Sequence, residues 1–281
     1  MTFRQKLQRA VRSSNSLLSV GLDPDPARIP VSIKKQFPET DRQVFEFCRR
    51  VIEATKMHTG IYKPNMAFFE ALGSKGWAVL EDLLEEIPSG KIVIADAKRG
   101  DIGTTALKYK EAFFDQLGVD AVTLNPLMGL DSIEPFLDEE SKGIFVLTVT
   151  SNRGSADFVQ RRFQGRMSLG EYFAEELAKM QPDSKTDIGM VIGATQPEAS
   201  GPVLKAYPDS NLLIPGIGAQ GGDFSVLKEV LKDHKGIPIV HSSRAIIYNG
   251  ADSENWEEAV SAKAAEMKEL LLPLTEKFIH E

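Results

Sequence analysis

The chain has 281 residues, of which 42% are hydrophobic and 26% are charged, enough for a large α/β domain with a substantial core. Its formal net charge is −7, which argues against general attraction to nucleic acid or to acidic membrane surfaces. We therefore expect no nucleic-acid partner, and an anionic ligand would have to be held by a local cluster of positive charge.

The N-terminus and the rarer residue types narrow the class of protein further. Residues 1–16 lack the apolar core of a signal peptide and are typical of a short amphipathic helix. No apolar run approaches the ~18 residues of a membrane span, and the four histidines lack metal-ligand spacing. Cys48, the single cysteine, is expected to pack inside a helix. These features predict a soluble cytoplasmic protein with no membrane partner and no bound metal.

Eight short apolar runs alternate with helical patterns along the chain. The predicted strands are residues 17–22, 60–62, 92–95, 121–124, 143–149, 188–192, 212–214 and 237–240. The clearest predicted helices are residues 43–55, 75–86, 104–117, 168–180, 223–232 and 256–272. This alternation predicts a parallel sheet, and eight units predict a closed (β/α)8 TIM barrel. An open doubly wound sheet stays as the alternative. We expect one domain, residues 1–281, with a short N-terminal helix and a C-terminal helix.

Polar or glycine-rich residues follow each predicted strand. In a barrel the carboxyl ends of the strands form one rim, where such enzymes keep their active sites. Side chains far apart in sequence are therefore expected to converge there: Asp23, Lys63, Asp96, Lys98, Ser151, Gln220 and Arg244. Two long segments, residues 24–40 and 153–187, follow the first and fifth strands and are expected to be peripheral.

The third predicted strand leads into an unusual set of charges. Asp96 and Lys98 are two residues apart, so on a strand they share a face, and Asp101 follows past a turn. Such charges at the end of an apolar strand are costly unless they compensate each other or take part in chemistry. An ordinary ion pair at a strand end is the structural alternative.

A phosphate site is predicted after the last two strands. Residues 215–223 contain four glycines, which let backbone N–H groups approach an anion, and Arg244 supplies a forked donor. Loops after strands seven and eight are the usual phosphate site of these barrels. We expect the glycine-rich loop to act as a lid, with Gln220 bridging phosphate and substrate. A rigid turn with Gln220 in water is the alternative.

Together these motifs resemble the orotidine 5′-phosphate decarboxylases. They are GLD ending at Asp23, YKPN with Lys63, DAKRGDI at residues 96–102, TSN at 150–152, PGIGAQGGD at 215–223 and SSR ending at Arg244. They occur in that family's order over nearly the whole chain. D-x-K-x-x-D is shared by a wider suprafamily, whereas its combination with Lys63 and the late motifs is more specific. The two long segments and SSR resemble the longer bacterial-type branch.

The resemblance implies a reaction without metal or organic cofactor. Orotidine 5′-monophosphate (OMP) would be converted to uridine 5′-monophosphate (UMP) and CO2, the last step of de novo UMP synthesis. Lys98 would donate a proton to C6, beside Asp96, which would pair with Lys63. Asp101 and Thr105 would enter the neighbouring subunit's site, which implies a homodimer with shared active sites.

The resemblance also implies which residues contact the nucleotide. Asp23 and Lys63 would hold ribose hydroxyls, Ser151 the pyrimidine amide, and Gln220 and Arg244 the phosphate. The full implied set is Asp23, Ile102, Thr105, Ser151, Asn152, Pro215, Gln220, Gly221, Ser243 and Arg244.

Three other functions stay open. One is a magnesium-dependent decarboxylase of keto-sugar phosphates from the same suprafamily, which by resemblance carries an acidic metal ligand where this chain has Lys63. The second is a lyase that uses Lys98 as a Schiff base. The third is a non-catalytic nucleotide-binding barrel.

Overall fold

The computed structural model describes residues 1–163, 165–193, 197–216 and 224–280. Eight parallel strands close into a barrel in which strands consecutive along the chain are neighbours and the last pairs with the first, which confirms the predicted (β/α)8 fold and excludes the open sheet. The strands are β1 Leu18–Leu22, β2 Ile61–Pro64, β3 Ile92–Arg99, β4 Ala121–Leu124, β5 Gly143–Val149, β6 Asp187–Ile192, β7 Leu212–Pro215 and β8 Pro238–Ser242.

Helices surround the barrel. They are α1 Phe3–Ser14, α2 Val31–Gln36, α3 Thr40–Thr55, α4 Met66–Glu70, α5 Ser74–Glu86, α6 Gly103–Lys110, α7 Leu169–Met180, α8 Pro197–Ala206, α9 Phe224–Val230, α10 Arg244–Ile247 and α11 Trp256–His280. None of the helices in the described part of the chain has the length and apolar character needed to cross a membrane. Cys48 is buried in α3, as its apolar surroundings predict.

Helix α1 closes the amino-terminal end of the barrel. A capping box between Thr2 and Gln5 starts this helix. The Phe3 ring then packs edge-on against Phe145 of β5, with ring centroids 6.2 Å apart. Arg4 pairs with Asp187 at the start of β6, at 3.0 Å. The opposite, carboxyl-terminal rim is therefore the end of the barrel that is left for a site.

Two predicted helices have different extents in the structure. The last helix was expected to end at residue 272, before Pro273, but α11 continues to His280. Its later apolar residues Leu274 and Phe278 are buried, and packing of that face outweighs the local cost of proline. The predicted helix 104–117 is α-helical only to Lys110 and continues as a π-helix, Glu111–Gln116.

Two glycines give a matched test of how tightly this fold packs. A Cβ at Gly60, just before β2, would lie 2.4 Å from the Ala10 carbonyl oxygen of α1, whereas a Cβ at Gly201 in α8 would meet nothing within 4 Å. We expect Gly60→Ala to lower the free energy of unfolding by about 2 kcal/mol. Gly201→Ala should change it by less than about 0.5 kcal/mol, because the helix preference of alanine is offset by the crowding of its Cβ against the ring of Pro202, the next residue of α8. Urea unfolding measures both, and equal effects would contradict the packing described.

Candidate active site

The carboxyl ends of the strands line two adjoining cavities of about 180 Å³ and about 220 Å³. Lys63, Asp96 and Pro215 line both, so the two cavities form one continuous site. The first is also lined by Asp23, Asn65, Gly216, His241, Ser242, Ser243 and Arg244. The second is also lined by Lys98, Thr123, Leu147, Thr150, Ser151, Asn152, Val191 and Leu213.

A chain of three ion-paired side chains joins β2 to β3. Lys63 Nζ contacts Asp96 Oδ2, and Lys98 Nζ contacts Asp96 Oδ1, so each carboxylate oxygen faces one ammonium group. The Lys63 side chain is only 4% exposed, whereas that of Lys98 is 50% exposed. A cation as buried as Lys63 needs a paired carboxylate. Of these two ammonium groups, that of Lys98 is therefore the one that a ligand can reach.

The backbone of β3 presents Lys98 through a bulge. Pairing with β4 runs from Ala95 opposite Val122 directly to Arg99 opposite Leu124, so β3 has extra residues between these pairs. The backbone of Lys98 adopts a left-handed conformation there, with a φ of 49°, and this conformation costs energy for a residue with a side chain. The sequence predicted a regular strand that ends near Asp96. The observed strand instead continues to Arg99, and its alternation is interrupted at Lys98.

Thr123 of β4 stabilises this irregular backbone. Its hydroxyl accepts hydrogen bonds from the backbone N–H groups of Ala97, at 3.0 Å, and Lys98, at 2.9 Å. The same hydroxyl donates to Asp96 Oδ1, at 3.2 Å. One side chain therefore satisfies two backbone donors of the bulge and orients the carboxylate that pairs with Lys98.

The two carboxyl groups of the site have opposite electrostatic surroundings. Burial acts to raise the pKa of Asp96, but the Lys63 and Lys98 ammonium groups outweigh it and hold that pKa below its usual value. Burial raises the pKa of Asp23, and attraction to Lys63 and the nearby Ser243 hydroxyl offset this only in part. Asp96 is therefore a fixed negative charge of the site at neutral pH.

The first cavity is rich in polar groups that lack partners. Asp23 Oδ1 and the hydroxyls of Ser242 and Ser243 are buried without a hydrogen-bond partner among the described residues. Buried polar groups of this kind are costly unless a ligand satisfies them. Arg244, the first residue of α10, adds a forked cationic donor beside them. This half of the site suits a ligand with several hydroxyl and phosphate oxygens.

The second cavity has an apolar wall and a polar edge. Leu147, Val191 and Leu213 provide the wall. Ser151 and Asn152 follow β5 at the edge, where Thr150 donates a hydrogen bond of 2.6 Å to Asn152 Oδ1. A planar ring with polar substituents fits such surroundings, because the wall contacts its faces and the edge groups can pair with its amide atoms.

Three predicted residues lie outside the cavities of their own chain. Asp101 is half-buried and accepts a hydrogen bond from the backbone N–H of Ile102, at 2.8 Å. Ile102 is 47% exposed, and Thr105 is exposed on α6. Other exposed apolar side chains occur on α6 and after β4, namely Leu107, Leu127 and Met128. The Asn125 N–H to Arg99 carbonyl hydrogen bond, at 2.7 Å, holds these two rim segments together.

The predicted phosphate loop is described only at its start. Pro215 ends β7, and Gly216 follows with a φ of 96°, which favours glycine. Both line the cavity with Arg244. Gln220 and Gly221, with the rest of the predicted lid at residues 217–223, lie outside the described residues.

Sequence reasoning missed His241, which reaches the cavity from within β8. Its ring is buried, and Nδ1 lies 3.2 Å from the Ser19 hydroxyl of β1. Burial, reinforced by the Lys63 cation, lowers the pKa of His241 well below its usual value, so the ring is neutral at pH 7. Its position two residues before Ser243 could have revealed it, because alternate residues of a strand share a face. Asn65, two residues after Lys63, was missed in the same way.

Comparison with known proteins gives a consistent result. The family model described as "Orotidine 5'-phosphate decarboxylase / HUMPS family" matches residues 16–259. The chain is 42% identical to a protein named orotidine 5′-phosphate decarboxylase from Dehalococcoides mccartyi, covering 99% of this chain and 100% of that one. It is 43% identical to the protein of that name from Herpetosiphon aurantiacus, covering 92% and 93%. The structure of Leishmania donovani OMP decarboxylase superimposes with a TM-score of 0.80 at 33% identity, covering 100% of both chains.

The buried His241 predicts a pH dependence of stability. Below about pH 6.5 a histidine in the unfolded chain takes up a proton that the folded chain excludes, so this contribution to stability is complete above that pH and is lost toward acid. We expect the free energy of unfolding to fall from about pH 7 to about pH 5, and the fall to be shallower in His241→Gln. Urea unfolding across this range measures both slopes. Identical slopes would show that His241 does not exclude the proton.

Proposed function

This chain belongs to the orotidine 5′-phosphate decarboxylase / HUMPS family, and on that premise we propose that it is the carboxy-lyase that converts OMP to UMP and CO2. The observation that carries the proposal is the Lys63–Asp96–Lys98 chain, whose last ammonium group is accessible at the cavity. Decarboxylation at C6 of a pyrimidine leaves an electron pair that the ring cannot delocalise. The protein must therefore place a positive charge where that negative charge develops.

Each step of the proposed reaction uses groups of this chain. The bond from C6 to the carboxylate breaks, its electron pair stays on C6, and CO2 leaves. Lys98 Nζ then transfers a proton to C6, and solvent returns a proton to the resulting amine. Asp96 pairs with the Lys98 ammonium group beforehand and holds it beside the cavity. In this proposal no cofactor or metal contributes a step.

Binding away from C6 would orient the substrate. The unpartnered Asp23 Oδ1 would accept a hydrogen bond from a ribose hydroxyl, and the hydroxyls of Ser242 and Ser243 would donate to phosphate oxygens. Arg244 would pair with the phosphate. The base would lie along the apolar wall, with Ser151 at its amide edge. Such remote contacts can supply energy for positioning the reacting carbon.

A homodimer would complete the site. Asp101 and Thr105 do not line the cavities of their own chain, and exposed apolar side chains flank them. We infer that this face contacts a second copy of the protein. Asp101 of one subunit would then lie beside the ion-paired Lys63, Asp96 and Lys98 side chains of the other. An alternating row of Lys63, Asp96, Lys98 and the second copy's Asp101 would compensate every charge in the row.

The magnesium-dependent decarboxylase of keto-sugar phosphates is the second candidate, because the D-x-K-x-x-D pattern at residues 96–101 also resembles that wider suprafamily. Lys63 argues against it. Its buried ammonium group lies at the end of β2 in contact with Asp96, where it would repel a divalent cation and already occupies a carboxylate oxygen. Formation of UMP from OMP in excess EDTA distinguishes the two candidates.

Lys98→Ala tests the proton donor directly. We expect the rate of OMP decarboxylation to fall at least about a thousandfold, because the positive charge at C6 is lost, while UMP still binds. The loss of OMP absorbance with EDTA present measures turnover, and calorimetry measures UMP binding. Lys179→Ala, which removes an exposed lysine of α7, is the control and should leave both unchanged.

Turnover of Lys98→Ala close to that of the wild type would remove the proton-donor role. Trapping of the wild-type chain by borohydride in the presence of OMP would instead indicate a Schiff base at a lysine. A wild-type chain that binds UMP but never consumes OMP would support the non-catalytic barrel.

Subunit mixing tests the shared site. Asp101→Ala and Lys98→Ala should each be inactive, but a mixed dimer would contain one site with both native residues. Random mixing would then restore about a quarter of wild-type activity, since half of the dimers are mixed and each has one intact site. Activity is measured after co-expression, with mixed dimers isolated by two different tags. Isolated mixed dimers without activity would show that Asp101 does not act across subunits.

A further inference from the structure

The long segment after β5 differs in charge from the rest of the chain. We call residues 153–163 and 165–168 the arginine segment. It contains four arginines, at positions 153, 161, 162 and 166, against one acid, Asp157. Its net charge is therefore +3 in a chain of −7, which leaves −10 for the remaining residues. Sequence alone predicted that this segment is peripheral, but its concentration of positive charge indicates a functional role.

The arginine segment is fixed beside the mouth of the cavity. It begins directly after Asn152, which lines the cavity, and the Ser155 N–H donates back to the Asn152 carbonyl at 3.0 Å. It ends at the capping box of Ser168 and Glu171, which starts α7. The N–H of Gly170 on α7 donates to the Val159 carbonyl at 2.9 Å. Backbone hydrogen bonds at both ends thus hold this positive charge against the rim.

The arginine side chains do not serve the fold as ion pairs. No carboxylate of the described residues pairs with Arg153, Arg161, Arg162 or Arg166, and all four are exposed. Among the described residues, the Arg162 side chain donates to the Arg166 carbonyl, at 3.1 Å, within the short antiparallel hairpin of residues 162–163 and 167–168. By contrast, Arg4, Arg49 and Arg50 elsewhere on the surface are paired with acids. The positive field of the segment is therefore not cancelled locally.

We propose that the arginine segment attracts the anionic nucleotide to the cavity and so raises kcat/KM without touching the bound substrate. This inference rests on the proposed function, because OMP carries both a phosphate and a carboxylate. A remainder of −10 repels such a ligand, and a positive patch at the mouth offsets that repulsion where the ligand enters. The attraction acts over about a Debye length, ~8 Å at physiological salt, which suits a segment that directly adjoins a cavity-lining residue.

A triple variant tests the proposal at the level of charge. Arg161→Gln, Arg162→Gln and Arg166→Gln together remove three charges, whereas Arg153 is kept because it adjoins Asn152. The matched control is Arg9→Gln, Arg12→Gln and Lys185→Gln, which removes the same charge at the amino-terminal end of the barrel. A third variant places lysine at 161, 162 and 166, so that charge is retained while the guanidinium is lost.

The readout is kcat/KM for OMP between about 0.02 M and about 0.5 M salt. We expect the segment variant to lose roughly fivefold or more in kcat/KM at low salt, to match the wild type at high salt and to keep its kcat. The control variant should stay within about twofold of the wild type at every salt concentration, and the lysine variant should recover wild-type behaviour. A purely structural role would change kcat or stability and would not depend on salt.

Two results would overturn the inference. One is a segment variant whose kcat/KM and salt dependence equal those of the control, which would leave the exposed Phe158 and Phe163 rings and their arginines as a surface for another macromolecule. The other is a loss in kcat/KM that persists unchanged at high salt. Failure of the proposed function is separate, since the wild-type chain would then not consume OMP at any salt concentration.

Discussion

The candidate site depends on the buried contact between Lys63 and Asp96. Burying either charge alone would be costly, and together they form a fixed anchor between neighbouring strands. A backbone bridge between Asn65 and Asp96 ties the same two strands beyond their regular pairing. Because Lys63 uses one oxygen of the carboxylate, the other is left for Lys98. The position of the accessible Lys98 ammonium group therefore depends on the Lys63–Asp96 pair, which is almost inaccessible to solvent.

The sequence predicts the general plan of the molecule well, because its main determinants are local. Strands β4 and β5 have the predicted bounds, and the predicted rim residues that the structure describes, from Asp23 to Arg244, line the two adjoining cavities. Apolar runs and strand-to-helix alternation depend on neighbours in sequence, and the rim position follows from the closed barrel. The role of each lining residue is still a proposal that the experiments above address.

Features that depend on distant contacts could not be predicted in this way. The left-handed Lys98 is stabilised by Thr123, a residue of the next strand whose hydroxyl is hidden in an apolar run. His241 likewise lies in a strand that reads as core, and its neutrality follows from burial and from Lys63. Pro273 shows the converse case, in which a strong local rule gives way to packing of the final helix.

The position of helix α1 at the base of the barrel also determines where the N-terminus of this chain lies relative to the site. Met1 is exposed, and Phe3, two residues later, packs against Phe145, so the first residue lies at the pole opposite the rim. Thr275 of the final helix contacts the N–H of Leu17, just before β1, at the same pole. An affinity tag, a solid support or a fused enzyme joined at residue 1 would therefore leave the entrance unobstructed.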